Sequence, residues 1–255
     1  MNKNTNRKMM TIMNSVAALL LSACLGTSLT GCSLPSGNAP SNGKVLTKKY
    51  SVSGFKHLEN LATADIVFTQ GPVTRVEAKG DADYLSCIEV VVQDSTLILR
   101  LPKKEAKRFK DVNVVFTVSC PELCSVYQRG VGDISLTGTV KADDLSLNVN
   151  GVGSLKAEAL DTRHLTVRQR GVGSMVLQGK SQRAELEQKG VGSLKAKDLE
   201  AEEVVARQAG VGSLSCRASR TIAIYSSGIG SVDYYGDAQV VEMKKSGIGS
   251  VEKHD

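Results

Sequence analysis

Apolar and polar positions between residues 124 and 255 follow a pattern with the fixed period of a repeat protein, about 20 residues. Each repeat contains Gly-Val-Gly-Ser or a close variant, and apolar residues stand four and six positions before and after its first glycine. Around Gly171 these are Leu165, Val167, Met175 and Leu177. A two-residue period is typical of strands with one buried face. The first glycines, whose spacing is nearly constant, are Gly130, Gly151, Gly171, Gly190, Gly210, Gly228 and Gly247.

Seven copies at a nearly fixed period indicate a repeat architecture in which successive coils stack on one another. We therefore expect an all-β fold, a right-handed parallel β-helix or solenoid of about seven coils of ~20 residues, with an N-terminal β lobe. Antiparallel hairpins are the alternative, but they gain nothing from columns of identical residues. One such column contains glutamines, whose stacked amides are expected to bond to one another. Its members are Gln128, Gln169, Gln188 and Gln208.

We interpret the repeated glycines as structural corners between strands. A residue without Cβ permits positive φ and close backbone approach. The alternative is an anion-binding nest of backbone amides. A phosphate loop occurs once, before a helix and with a lysine behind it, whereas this motif occurs seven times without predicted helices.

Residues 45–123 are rich in β-strand patterns but lack the glycine repeat, and we interpret them as a lobe whose strands continue into and cap the solenoid at 124–255. A short helical turn is expected between Gly80 and Ser86. The predicted strands are Ile66–Thr69, Thr74–Glu77, Ile88–Val92, Leu97–Leu101 and Val112–Val118.

Residues 1–32 have the pattern of a bacterial lipoprotein signal peptide, with a basic head followed by an apolar stretch. Either Cys24 or Cys32 is the expected lipidation site, since each ends a lipobox-like segment. The alternative is an ordinary secretory peptide with incidental cysteines. Residues 33–44, rich in Ser, Gly, Pro and Asn, are expected to form a flexible tether. The predicted location is exported, with a lipid anchor at the outer membrane, on its periplasmic side or on the cell surface.

Charge and composition argue against nucleic-acid binding. The chain has a net charge of +6, and three of its basic residues, Lys3, Arg7 and Lys8, lie in the predicted leader. It has no Trp, only 4 Phe and no recognised nucleic-acid-binding motif. The expected partners are therefore the membrane, through the N-terminal lipid, and an anionic glycan or an envelope protein.

Three segments resemble a known family: Gly54–Glu59 (GFKHLE), Ala64–Gly71 (ADIVFTQG) and Val91–Leu97 (VVQDSTL), followed by the glycine repeats. Over about residues 45–251 the chain is similar to the "putative auto-transporter adhesin" head domain, called the GIN domain. The family's usual Gly-Gly-Ser-Asp corners are here mostly Gly-Val-Gly-Ser, and a carboxylate remains only at Asp133. The resemblance implies a two-lobed right-handed β-helix in a lipoprotein, and adhesion as its function.

No catalytic residue, metal site or cofactor is predicted. Cys87, Cys120, Cys124 and Cys216 are expected to be free thiols, with one disulfide among the first three as the alternative. A zinc site is not expected, since Cys-x3-Cys lacks a second pair or a nearby histidine. The three histidines, which are expected at the surface, are His57, His164 and His254.

A polysaccharide lyase or hydrolase is the enzymatic alternative, since such enzymes use clustered carboxylates. Its candidate acids lie in the variable turns opposite the glycines, where acidic residues are more typical of solvated turns. They are Asp143, Asp144, Asp161, Asp198, Glu202, Glu203 and Asp237.

A basic and aromatic outer face is the main candidate for ligand binding. Positions one and three residues before each corner glycine should point outward on stacked coils, and arginine there suits carboxylate, sulfate or phosphate groups. This candidate ligand face comprises Tyr127, Arg168, Arg170, Lys189, Arg207 and Tyr225. The leading hypothesis is a non-enzymatic, lipid-anchored envelope protein that presents a rigid surface for adhesion. The alternatives are the carbohydrate-active enzyme, a structural envelope assembly factor, or a solvated face without a ligand.

Overall fold

The computed structural model describes residues 44–109 and 112–255. It is 70% strand and 3% helix and forms a β-solenoid of about six turns, which confirms the predicted fold class. The sequence predicts about seven coils, one for each glycine corner. The predicted signal peptide and nearly all of the tether lie outside the described residues.

The first part of the described chain contains eight strands and one short helix. The strands are β1 (Val45–Tyr50), β2 (His57–Asn60), β3 (Asp65–Gln70), β4 (Arg75–Asp81), β5 (Glu89–Gln93), β6 (Thr96–Arg100), β7 (Val114–Cys120) and β8 (Ser125–Gln128). The helix is α1 (Ala82–Cys87), close to the predicted helical turn. Its N-terminus is capped by Asp81, whose carboxylate accepts hydrogen bonds from the backbone amides of Asp83 and Tyr84.

The second part consists of strands that run through most of each coil. They are β9 (Ile134–Val149), β10 (Leu155–Gln169), β11 (Val172–Gln188), β12 (Val191–Gln208), β13 (Val211–Ser226), β14 (Val232–Tyr235), β15 (Gln239–Lys245) and β16 (Val251–His254). Strands β9 to β13 pair in parallel, each with the next along the chain. Register shifts lie between the two apolar segments of each long strand, where coils differ in length.

The stacking places equivalent residues of successive repeats directly opposite one another. Leu155 pairs with Met175, and Leu165 pairs with Ala184. These side chains are at most 1% exposed, and the core is a series of columns of small aliphatic residues. The columns remove from water the apolar faces that the sequence pattern predicts, which is the main favourable term in folding.

The corner glycines are required because coils approach one another closely there. A Cβ added to Gly151 would lie 2.0 Å from the carbonyl oxygen of Gly130 in the preceding coil. The second glycine of the same corner, Gly153, also has a φ of +134°, which side chains rarely adopt. Both constraints repeat from coil to coil, which explains why the motif recurs.

The solenoid begins earlier than the glycine motif. Asn60 pairs with Gln128, and Thr63 forms a bridge with Val131, so residues 57–70 form a coil with alanine at both glycine positions, Ala62 and Ala64. An added Cβ on Gly130 would point back at the Ala62 carbonyl, 2.0 Å away, which shows that corner Cβ atoms point toward the preceding coil. The first coil has no earlier corner beneath it, and alanine is therefore accommodated.

The N-terminal strands extend both faces of the solenoid and cover its first coil. On one face, β1, β4 and β7 pair antiparallel, and β7 is parallel to β3. On the other, β5 and β6 pair antiparallel, and β6 is parallel to β2. Tyr84 of α1 lies against the first corner, where its hydroxyl accepts a 2.9 Å hydrogen bond from the Thr63 amide.

Candidate functional site

The candidate ligand face lies on the outer surface of β8 to β13, along the strand segments that precede the corners. Its central residues stand in one column, in which Arg168 pairs with Glu187 and Glu187 with Arg207. Tyr127 and Tyr225 occupy the same column nearer its two ends. Neighbouring coils lie about 4.8 Å apart. The structure thus brings all six predicted residues onto a single face.

Glu187 organises the cations at the centre of this face. The guanidinium groups of Arg168 and Arg170 lie 3.4 and 3.3 Å from its carboxylate, and the Lys189 ammonium also contacts it. The Glu187 side chain is only 14% exposed. Burial opposes ionisation of this carboxyl, but the hydrogen bond from Lys189 and the charge of Arg170 outweigh it and lower the Glu187 pKa. Three cations share one anion, and the centre keeps a positive charge.

A shallow hollow of about 340 Å³ lies over these residues. It is lined by four cations and two carboxylates, with the remaining lining supplied by three uncharged residues. The charged residues are Arg168, Arg170, Lys189, Arg207, Glu185 and Glu187. The excess of cations suits an anionic ligand that contacts several coils.

The two tyrosines of the face are each held beneath an arginine. The Arg129 guanidinium lies 5.8 Å from the Tyr127 ring centre, and the Arg207 guanidinium lies 5.0 Å from that of Tyr225. The Tyr225 hydroxyl donates to Glu242, and this hydrogen bond is the main cause of its raised pKa. These contacts fix the rings at either end of the cationic centre.

The prediction that the stacked glutamine amides bond to one another is wrong. Gln169, Gln188 and Gln208 stack in register, Val149 separates Gln128 from them, and all four glutamines are buried. Their amide nitrogens donate to backbone carbonyls of the corners instead of to one another. Gln169 donates to Gly171 and Gly173, at 3.2 and 3.1 Å. The amide oxygens of Gln128, Gln169 and Gln188 have no hydrogen-bond partner. The corner carbonyls accept these hydrogen bonds because they lie within reach of each glutamine amide. The glutamine column therefore holds the corners in place.

A longer groove of about 1530 Å³ runs along the variable turns opposite the corners. Five of the seven acids proposed for an enzymatic site line it: Asp143, Asp144, Asp161, Glu202 and Asp237. Asp198 and Glu203 are not among its lining residues.

The three groove aspartates nearest the first coils are exposed, and each lies beside a basic side chain. Asp144 lies 3.1 Å from His164, Asp143 lies 3.5 Å from Arg163, and Asp161 lies 3.8 Å from Lys141. Such pairs are typical of a solvated surface. Their geometry assigns neither a general acid nor a nucleophile.

The four cysteines of the described chain are free. Burial raises the pKa of Cys120 to about 11 and that of Cys216 to about 12, so both thiols stay protonated at neutral pH. Cys216 fills a core position opposite Ala196, as its place in the repeat predicts. Burial also raises the pKa of the partly exposed Cys124. The two buried thiols, Cys120 and Cys216, are therefore packing groups of the core.

The histidines lie at or near the surface. His57 is within 2.8 Å of the Ser125 hydroxyl, His164 pairs with Asp144, and His254 pairs with Asp233. Within residues 44–109 and 112–255, the group with the geometry to hold a metal ion consists of Asp233, Glu252 and His254. The sequence analysis missed this cluster, although part of its signal is present: Asp233 and Glu252 each stand five residues after a corner glycine, and stacked coils place them opposite each other. In the same ranges, no helix is long and apolar enough to cross a membrane.

Solved structures share this architecture. A crystal structure of a "putative adhesin" from Bacteroides fragilis is 29% identical, with a TM-score of 0.77, covering 84% of this chain and 99% of that one. A "putative lipid binding protein" from Parabacteroides distasonis has 19% identity and a TM-score of 0.62, covering 83% and 98%. A "putative adhesin" from Parabacteroides merdae has 19% identity and a TM-score of 0.60, covering 84% and 98%. The latter two show the fold alone.

The sequence also matches a family model over residues 54–238, which span β2 to the turn before β15. Among curated proteins, no sequence matches this chain. The matched range includes the first coil with its alanine corner and all six residues of the candidate ligand face. The chain therefore belongs to the family described as "putative auto-transporter adhesin, head GIN domain".

Proposed function

We propose that this protein is a non-enzymatic, lipid-anchored adhesin of the cell envelope that binds an anionic glycan through its candidate ligand face. Family membership indicates an exported or cell-envelope protein with a binding role. The glycan, the face and the anchor are the specific parts of the proposal.

The observation that carries the proposal is the cationic centre around Glu187. Arg168, Arg170 and Lys189 converge on this single carboxylate, which orders them without cancelling their charge. A planar guanidinium forms paired hydrogen bonds with carboxylate or sulfate groups. Arg207 extends the cationic strip by one coil.

The dimensions of the strip favour an extended ligand. Its charges lie on three successive coils, so the outer ones are separated by about 10 Å. That distance matches alternate acidic groups along a linear chain better than a single small anion. A solenoid surface is also rigid, since each coil is hydrogen-bonded on both sides, and rigidity reduces the entropy lost on binding.

The anchor is supported by the sequence of residues 1–32, where Cys24 and Cys32 each follow a lipobox-like segment. Several acyl chains on one cysteine give stable membrane attachment, at about 0.8 kcal/mol per buried CH2. Residues 33–44 would then separate the solenoid from the membrane.

The direct test is a glycan array probed with the purified protein, followed by titration of the glycans that bind. Replacement of Arg168, Arg170 and Arg207 by Ala should weaken binding to uronic or sulfated glycans at least tenfold. The matched control replaces Arg163, Arg183 and Arg220, three ion-paired arginines outside this face, and should retain binding.

Equal losses of glycan affinity in both triple variants would show that binding depends only on the overall charge. That result would contradict binding through the candidate ligand face. Multiple-turnover depolymerisation of a bound glycan would contradict the non-enzymatic assignment. Loss of that turnover in a variant with Ala at Asp143, Asp144 and Asp161 would place catalysis in the groove.

A further inference from the structure

Strands β14 and β16 bring three metal-ligand side chains together on their outer face. Asp233 stands directly opposite Glu252, and Tyr235 stands opposite His254, two residues further along both strands. The candidate ligand atoms of Asp233, Glu252 and His254 all lie within 4.8 Å of one another. The side chains of Asp233 and His254 are 27% and 40% exposed, so an ion can reach them from solvent.

The pairing of Asp233 with Glu252 departs from the charge pattern of the rest of the solenoid. Elsewhere in the described strand pairings, directly opposed Asp, Glu, Lys and Arg residues combine opposite charges. Examples are Lys141–Asp161, Lys180–Glu200 and Glu187–Arg207. Opposed like charges destabilise a sheet. A bound cation between the two carboxylates would remove this repulsion.

Neighbouring residues hold the cluster in place. The Ser231 hydroxyl donates to one Asp233 oxygen at 3.2 Å, and the His254 Nε2 lies 3.0 Å from the other. The Tyr235 ring stacks on the His254 imidazole with ring centres 5.1 Å apart, and the Arg217 guanidinium lies 5.6 Å from the Tyr235 ring centre. Such outer contacts orient the ligands of metal sites.

We propose that Asp233, Glu252 and His254 bind a divalent transition-metal ion of the zinc class. One imidazole and two carboxylates are donors that Zn²⁺ accepts at about 2.0–2.2 Å, with solvent completing the coordination. Two ligands of one ion are at most about 4 Å apart at these bond lengths. Small rotations of the exposed side chains close the cluster around the ion. The ion replaces the direct His254–Asp233 contact and joins β16 to β14, which fixes the last coil of the solenoid.

The proposal is tested by calorimetric titration of the tag-free, metal-stripped protein with Zn²⁺ at neutral pH. One saturable site is expected, together with a Zn²⁺-dependent rise in Tm. His254→Ala should weaken binding at least tenfold and abolish the rise. His164→Ala is the matched control, because it removes a histidine from another surface His–Asp pair, and it should change neither result.

Two further measurements identify the groups that bind the ion. Asp233→Asn should weaken Zn²⁺ binding while the far-UV circular dichroism stays unchanged. Co²⁺ should give a visible absorption band that His254→Ala removes. Absence of saturable binding, or equal binding in the His254→Ala variant, overturns the proposal. Tighter binding of Ca²⁺ than Zn²⁺ also overturns it, since that preference indicates oxygen ligands alone.

Discussion

At a corner glycine, the repeat depends on the absence of one methyl group. A Cβ on Gly171 would lie 2.0 Å from the Gly151 carbonyl oxygen, whose position is fixed by the adjoining coil. Gly171→Ala should therefore lower the free energy of unfolding by about 3 kcal/mol, the upper range of overpacking effects. Urea unfolding followed by circular dichroism measures this change.

Gly71→Ala is the matched control, because a Cβ there meets nothing within 4 Å. Its unfolding free energy should stay within about 0.5 kcal/mol of the parent value. Similar losses in both variants would indicate that glycine acts through chain flexibility and not through contact between coils.

Glu187 makes the stability of the candidate ligand face dependent on pH. Its pKa is lowered in the folded state from an ordinary 4.5, so its contribution is fully present above about pH 4.5. It is lost as the pH falls below that value and through the folded-state pKa. The stability difference between the parent and Glu187→Gln should thus be constant near pH 7 and shrink in acid.

Urea midpoints measured between pH 7 and pH 3 test this dependence. Glu185→Gln serves as the comparison, since Glu185 lies on the same strand and lines the same hollow, but its ion pair is with Arg183, at 3.7 Å. A Glu187→Gln difference that grows as the pH falls would mean that the neighbouring cations do not stabilise the Glu187 carboxylate.

At the scale of elements, α1 seals the first coil through the Tyr84 hydroxyl, which accepts the Thr63 amide hydrogen bond at 2.9 Å. Tyr84→Phe leaves that amide without its partner and should lower the free energy of unfolding by about 1–2 kcal/mol. Hydrogen exchange at the Thr63 amide should also become faster. Chemical denaturation and exchange measured by NMR give the two values.

Tyr50→Phe is an informative control in the same lobe. The Tyr50 hydroxyl is buried without a hydrogen-bond partner, and burial raises its pKa to about 12. Its removal should leave stability unchanged or increase it, because no hydrogen bond is lost. Equal destabilisation by both substitutions would show that Tyr84 acts through ring packing alone.

The repeated coils can be predicted from the sequence more fully than the first coil and the ion pairs of the ligand face. Coils β9 to β13 are predictable because an apolar column and a glycine occur in every repeat. The first coil is not, because Ala62 and Ala64 face no preceding corner and so lack the glycine signal. The cationic face follows from the same columns, whereas the sharing of Glu187 by three cations depends on side-chain positions that periodicity does not specify.

The Asp233–Glu252–His254 cluster shows a second limit. Its residues stand in different coils and become neighbours only when the alignment of β14 with β16 is known to the residue. Gly228 and Gly247 are 19 residues apart, which is also the offset between Asp233 and Glu252, so the repeat itself places these two carboxylates opposite each other. The repeat does not show that the His254 imidazole turns toward Asp233, 3.0 Å away. A one-residue shift would move these side chains to the opposite face of the sheet.

At the scale of the whole molecule, the ligand face is useful for adhesion only if the solenoid is held at the envelope. The N-terminal sequence offers two cysteines for lipid attachment, Cys24 and Cys32, and a single processing site makes only one of them the mature N-terminus. We therefore expect one of Cys24→Ser and Cys32→Ser, but not both, to abolish incorporation of labelled fatty acid in cells.

The unaffected single variant is the internal control for expression and export. Because burial of the acyl chains attaches the protein to the membrane, the variant that loses the lipid should also be lost from the membrane fraction. Labelling that persists in the double variant would remove the anchor from the proposal, and the solenoid would then need another means of retention to act as an adhesin.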